Sequence, residues 1–286
     1  MKQGEILFGK YRVERKLGSG GMSDVFLAVN LQLGNKWAVK HIKNDDIALT
    51  EIDILKKLNH RSLPQIADIF RDDGGTYIIE SYIEGISLQR MLEQGREISA
   101  AAALDWSMQL CEVLSYLHNL KPYPVIYRDI KPLNIMVTKG GRIVLVDFGI
   151  SKLFRKSGGR DEHIAGTNAY AAPEQMVYEG YSDRRSDIYS LGAVMRQLFQ
   201  AAAGREKERP KNKSRLHMYS IIRRCMEKSP DNRFQCMEEL AQELDKLAEE
   251  ISYEQARDKL TFKLLLLLSA VLSIATYGLA AYGLLC

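Results

Sequence analysis

No Cys-x-x-Cys spacing occurs anywhere in the 286 residues, and the four cysteines, Cys111, Cys225, Cys236 and Cys286, stand apart from any grouping of histidines. That pattern argues against a zinc cluster and a disulfide framework, and it predicts reduced thiols. Nothing repeats at a fixed period and no long low-complexity linker interrupts the chain, so tethered modules are not expected. Met1-Lys2-Gln3-Gly4-Glu5 has no apolar core behind its lysine and no acylation signal, so no secretory leader is expected there. Charge of one sign is also scarce. Forty Lys and Arg face 36 Asp and Glu, and a formal net charge of +4 is too small to mark a polyanion-binding protein.

What is present concentrates in two short stretches. Tyr127-Arg128-Asp129-Ile130-Lys131-Pro132-Leu133-Asn134 is followed, after the apolar run Ile143-Val144-Leu145-Val146, by Asp147-Phe148-Gly149. Asp129 can accept a hydroxyl proton, while Asn134 and Asp147 offer hard oxygen ligands suited to Mg²⁺. Lys131, two residues beyond the base, can steady a transferring phosphate. A γ-phosphoryl group in flight needs little more than positioning and charge neutralisation, so these residues fit phosphoryl transfer to a protein hydroxyl.

Upstream, Leu17-Gly18-Ser19-Gly20-Gly21-Met22-Ser23-Asp24-Val25 lies between two strand-like runs and reads as a hairpin able to fold its amides over the phosphates of ATP. Trp37-Ala38-Val39-Lys40 ends a strand with a lysine suited to the α- and β-phosphates. Glu51 opens the apolar spacing Leu55, Leu58 of a helix that could carry the ion-pair partner of Lys40. Ala171-Ala172-Pro173-Glu174 closes a segment that starts at Asp147. With these motifs in order, residues 11 to 250 resemble a eukaryotic-like serine/threonine protein kinase.

The resemblance implies an α+β, two-lobed fold: a small β-rich lobe over about residues 11–83 and a larger helical lobe over about 84–250. It implies that Leu17, Val25, Ala38, Ser81, Ile83 and Met136 line the ATP site, with Val25, Ala38 and Met136 around the adenine. It further implies that Leu55, Ile66, Tyr127 and Phe148 form a column joining the lobes, anchored by Asp187, and that Glu174 pairs with Arg233. Serine/threonine specificity is implied by Lys131 and by Thr167 in Gly166-Thr167-Asn168. The intact set Lys40, Glu51, Asp129, Asn134 and Asp147 argues against a nucleotide-binding scaffold without catalysis.

Some positions depart from the family pattern. Ser23 replaces the third glycine of the phosphate loop. Glu80 stands where the back of the nucleotide pocket is usually apolar, and a carboxylate there must reach solvent, titrate or find a basic partner. Arg128 beside the base commonly binds an activation-loop phosphate in such kinases, yet residues 158–166 contain no hydroxyl. Asp161 or Glu162 is therefore expected to replace the phosphate, with Ser157 and Thr167 as remaining autophosphorylation candidates. Few residues separate Lys40 from Glu51, so the Glu51 helix should begin abruptly near Asn44-Asp45-Asp46.

Two features lie outside this unit. Residues 264–286 carry no charge, and as a helix they would span roughly 34 Å at about 1.5 Å per residue, enough for a hydrocarbon core of about 30 Å. Arg257, Lys259 and Lys263 in the juxtamembrane stretch 251–263 precede the span, which predicts a single-pass cell-membrane anchor with the catalytic unit cytoplasmic and the C-terminus at the outer face. Ser269 with Ser273, and Thr276 with Ala280, would allow helix pairing and a homodimer. The basic run over 205–215 is expected to be a solvated loop or a contact for an anionic partner, nucleic acid or acidic lipid.

Overall fold

The computed structural model describes residues 1–19, 23–43, 45–148, 152–153, 169–176, 181–202, 213–254, 256–257 and 260. Its first lobe is an antiparallel sheet in the order β1-β2-β3-β4-β6-β5, formed by Ile6–Leu7, Tyr11–Ser19, Ser23–Asn30, Lys36–Ile42, Gly75–Ser81 and Ile66–Asp72 respectively. Helix α1, Asp45–Leu55, crosses one face. Strand alternation decides which side chain meets which core. Val39 of β4 and Tyr77 and Ile79 of β6 join Leu7, Tyr11, Val13 and Phe26 in an outer cluster, while Ile42 and Ile78 join the large core shared with the helices.

The sheet begins earlier than the expected boundary at residue 11. Gly4 N–H donates to the Val13 carbonyl at 2.8 Å, Ile6 pairs with Arg12, and Leu7 is buried. Phe8 stacks on Phe70 with ring centroids 4.1 Å apart. A strand of two residues has no periodicity to read, and its pairing only exists once β2 is in place. The α1 start at Asp45 agrees with the expected abrupt entry and places Glu51 inside the helix, while Leu58 of the expected spacing falls beyond its end.

The second lobe is helical. After β7, Gly85–Ser87, come α2, Leu88–Glu93, and α3, Ala100–His118; Ser87 and Ser99 cap them by accepting from Arg90 N–H and Ala102 N–H. Strand β8, Val125–Ile126, pairs with β11, Lys152–Leu153, and β9, Ile135–Thr138, pairs with both β7 and β10, Ile143–Leu145. Helices α4, Arg184–Ala202, and α5, Lys213–Cys225, precede α6 over 237–254. Leu104, Cys111, Leu114 and Leu117 of α3 and Met237, Leu240, Leu244 and Leu247 of α6 are buried in the core these helices share, with Met108, Tyr116 and Ile251 partly buried against it. Helices α4 and α5 approach so closely at Gly192 that a Cβ there would sit 2.5 Å from the Cβ of Cys225.

Among the described residues no helix is long and apolar enough to cross a membrane, and 264–286 lie outside them. The other expectations placed on Gly20, Gly21, Met22, Ser157, Asp161, Glu162, Thr167 and 205–212 also fall outside the described residues.

Candidate active site

Strand β4 lies between β3 and β6, so both its edges are hydrogen-bonded, and Lys40 near its end is buried. Its Nζ lies 2.5 Å from Glu51 Oε1 of α1 and 2.7 Å from Asp147 Oδ1, which comes from the other lobe. Burial opposes the Lys40 charge, and the carboxylates of Glu51 and Asp147 outweigh it, raising its pKa above the ordinary lysine value. Burial in the same place raises the Glu51 pKa above the ordinary carboxylate value, and the Lys40 ammonium opposes that rise. Phe148 N–H also donates to Glu51 Oε1, at 3.4 Å, tying the start of the Asp147 segment to α1.

The base is held by its own loop. Asn134, in a short 3-10 turn over Pro132–Asn134, donates from Nδ2 to Asp129 Oδ2 at 2.8 Å and to the Asp129 carbonyl at 3.0 Å. Lys131 Nζ lies 2.7 Å from Asp129 Oδ2. With the Asn134 nitrogen committed, its carbonyl oxygen is the atom suited to a cation. Asp147 adds a half-exposed carboxylate, and this pair of oxygen donors fits a hard divalent ion.

Two non-glycine residues here have left-handed backbone: Arg128 at φ 70° and Asp147 at φ 74°. Asp187 of α4 holds the first by accepting Tyr127 N–H at 2.9 Å and Arg128 N–H at 2.7 Å, while His118 Nε2 lies 2.8 Å from its Oδ2. Tyr127 donates its hydroxyl to the Val146 carbonyl at 2.5 Å and meets Phe148 edge to face at 5.1 Å. Leu55, Tyr127 and Phe148 are buried in one core with half-buried Ile66 packed on it, as the expected column requires.

The brace below is the expected one. Arg233, fully buried, donates to both oxygens of Glu174 at 2.7 and 2.8 Å and to the carbonyls of Arg185, Glu227 and Lys228. Burial raises the Glu174 pKa, but the hydrogen bonds from Arg233 and Ser186 outweigh it and leave the carboxyl below its ordinary value. Residues 11–268 match the protein kinase domain family.

The chain belongs to the protein kinase family. Among similar proteins, serine/threonine-protein kinase PknB of Mycolicibacterium smegmatis is 28% identical over 276 residues, covering 85% of this chain and 44% of that protein. Serine/threonine-protein kinase cds1 of Schizosaccharomyces pombe is 34% identical over 209 residues, covering 67% and 45%. CBL-interacting serine/threonine-protein kinase 19 of Arabidopsis thaliana is 30% identical over 209 residues, covering 70% and 42%. The kinase chain thus spans less than half the length of the curated relatives it matches.

The nucleotide-pocket candidates divide across the cleft. Val25 on β3 and Ala38 on β4 come from the first lobe and Met136 on β9 from the second, with half-buried Ser81 and Ile83 between the lobes. Leu17, Gly18 and Ser19 end β2, and Ser23 begins β3. Glu80 resolves to one of its three expected fates. It pairs in register with Ala38 and Ile66 on the same strand face as Ile78, and it is buried. Burial, opposed by Lys40 and assisted by Glu51 and Asp147, pushes its pKa up to about 8, so it titrates and is mostly protonated at neutral pH.

Two supports were missed in the sequence. Buried Gln175 accepts Ala172 N–H at 3.0 Å and donates to the Arg128 carbonyl at 3.0 Å, joining the Ala-Pro-Glu turn to the catalytic loop. His118 is the other, and it belongs to no motif of the sequence. The one available signal for Gln175 was its place beside Glu174, which does not reveal the direction of its side chain.

Proposed function

We propose that this kinase transfers the γ-phosphate of ATP, with Mg²⁺, to serine and threonine hydroxyls of proteins, itself included, and that residues 264–286 hold it at a membrane. One observation carries the catalytic part: Lys40 bridges Glu51 and Asp147 across the lobes while Asn134 orients Asp129. That arrangement supports a competent set of groups already in place. Lys40 binds the α- and β-phosphates, which the glycine-rich sequence from Leu17 to Val25 is suited to contact through its amides. Asp129 accepts the proton of the attacking hydroxyl, and Asn134 keeps its carboxylate aimed. Lys131, beside Asp129, is placed to meet the transferring phosphate. Mg²⁺ bound by Asn134 and Asp147 would neutralise charge on the phosphate oxygens.

The serine/threonine assignment is supported by Lys131, by Thr167 and by the similarity to serine/threonine-protein kinases. The membrane part rests on the uncharged length of 264–286 and the basic residues before it. With ATP and Mg²⁺ the full chain is expected to label itself or a generic protein on Ser and Thr. Asp129→Asn should lower the rate by at least about a hundredfold. Equal incorporation by both proteins would refute the catalytic assignment, and mainly phosphotyrosine would refute the specificity. Deleting 264–286 should move the protein to the soluble fraction with its kinase activity retained. A truncated protein that survives carbonate washing of membranes would show a different anchor.

A further inference from the structure

The outer face of α5 and the end of α6 carry large apolar side chains that no part of the catalytic machinery uses. Leu216 is 56% exposed and Tyr219 40% on α5; Tyr253 is 71% and Leu260 60% exposed near the end of the described chain. These residues share one end of a helix pair. Lys213 Nζ lies 2.9 Å from Glu250 Oε1, Ser214 Oγ donates to Glu254 Oε2 at 2.6 Å, and His217 Nδ1 is 3.1 Å from Glu250 Oε2. The first turn of α5 therefore lies against the last turns of α6. The same bonds commit Glu250 and Glu254 to α5, away from the outer face. Met218, Ile222 and Cys225 fill the opposite side of α5.

Connectivity then fixes what this end can meet. Leu264 is four steps along the chain from Leu260, and an extended chain reaches at most about 3.6 Å per step, so Leu260 lies within roughly 14 Å of the start of the apolar segment. A bilayer of about 30 Å of hydrocarbon and about 40–45 Å overall extends its headgroup layer over much of that distance. Tyrosines with an apolar ring and a polar tip suit this layer. The basic run read from the sequence ends here too, with Lys213 and Arg215 as its described members, and Arg257 is exposed on the other helix.

We propose that this end of the helix pair docks on the membrane surface, with Leu216, Tyr219 and Tyr253 in the headgroup layer and Arg215 and Arg257 on acidic phospholipid. The proposal rests on the anchoring reading above. It makes the catalytic unit a surface-seated body with its α5–α6 end against the lipid, and it assigns lipid headgroups as the anionic partner of the basic side chains there.

The test uses the full chain in nanodiscs of phosphatidylcholine alone or mixed with phosphatidylglycerol. Cys236→Ser and Cys286→Ser remove the reactive thiols, since Cys111 and Cys225 are buried. A bimane label is then placed singly through Leu216→Cys, Tyr253→Cys, Leu33→Cys or Ala270→Cys, and quenching by headgroup-level and deep spin-labelled lipids is read. The labels at 216 and 253 should be quenched from the headgroup level in the mixed discs, and the label at 33 should not. Arg215→Gln with Arg257→Gln should lower the ratio of docked to undocked protein by roughly fivefold or more. Unquenched labels at 216 and 253 beside a quenched label at 270 would overturn docking and leave the anchor standing. An unquenched label at 270 would overturn both. Shielding at 216 that depends on protein concentration and not on lipid would make the face a contact between copies, and would also overturn the proposal.

Discussion

Replacing Glu80 with glutamine keeps the side-chain shape and removes the titrating proton, so it isolates the cost of burying that carboxyl. The folded protein holds the proton up to about pH 8, whereas an exposed glutamate releases it near 4.5. Between those values the folded state binds more protons than the unfolded one, so stability falls as pH rises through the window and is lowest above it. At about 1.4 kcal/mol per pH unit the full displacement corresponds to roughly 5 kcal/mol. Water entry and relaxation around an ionised group in the cleft reduce that to about 2–3 kcal/mol. Glu80→Gln should therefore match the parent protein at pH 5 within about 0.5 kcal/mol and exceed it by about 2–3 kcal/mol at pH 9. Urea unfolding at the two pH values, with ATP absent, measures both differences. An equal difference at pH 5 and pH 9 would refute the burial argument, because a change in packing alone carries no pH dependence.

Arg233→Met should destabilise the second lobe by about 3–5 kcal/mol, since it leaves Glu174 without its buried cation; a loss under about 1 kcal/mol in denaturant unfolding would show that the pair is not a brace. Phosphatase-treated kinase should stay active, and Asp161→Ala with Glu162→Ala should lower its rate by about tenfold, the loss of one charge-assisted hydrogen bond, while Ser157→Ala changes little. Strong dependence on Ser157 phosphorylation would reverse that assignment.

The candidate catalytic residues were legible because chemistry restricts their types and the loops that hold them restrict their spacing. Asn134 meets Asp129, and Lys40 meets Asp147 from the other lobe. The supports were harder to read. Asp187 was found through its motif, but its contact with His118 depends on how α3 lies across α4, a long-range choice. Glu80 left three outcomes open because a strand pattern gives the face of a side chain and not the depth of the layer above it. The early start of the sheet escaped for a related reason: Ile6–Leu7 is a strand only by virtue of its partner.

The left-handed backbone at Arg128 and Asp147 has a consequence for how this protein fails on heating. Each such residue costs on the order of 1–3 kcal/mol, and only tertiary contacts such as the two amides on Asp187 keep it in place. The catalytic loop is thus under tension that the surrounding helices are not. As temperature rises that tension should be released first, and turnover should disappear in a range where the far-ultraviolet circular dichroism of α3 and α4 is still native. Thermal inactivation would then report the loop, and the melting curve the lobe beneath it.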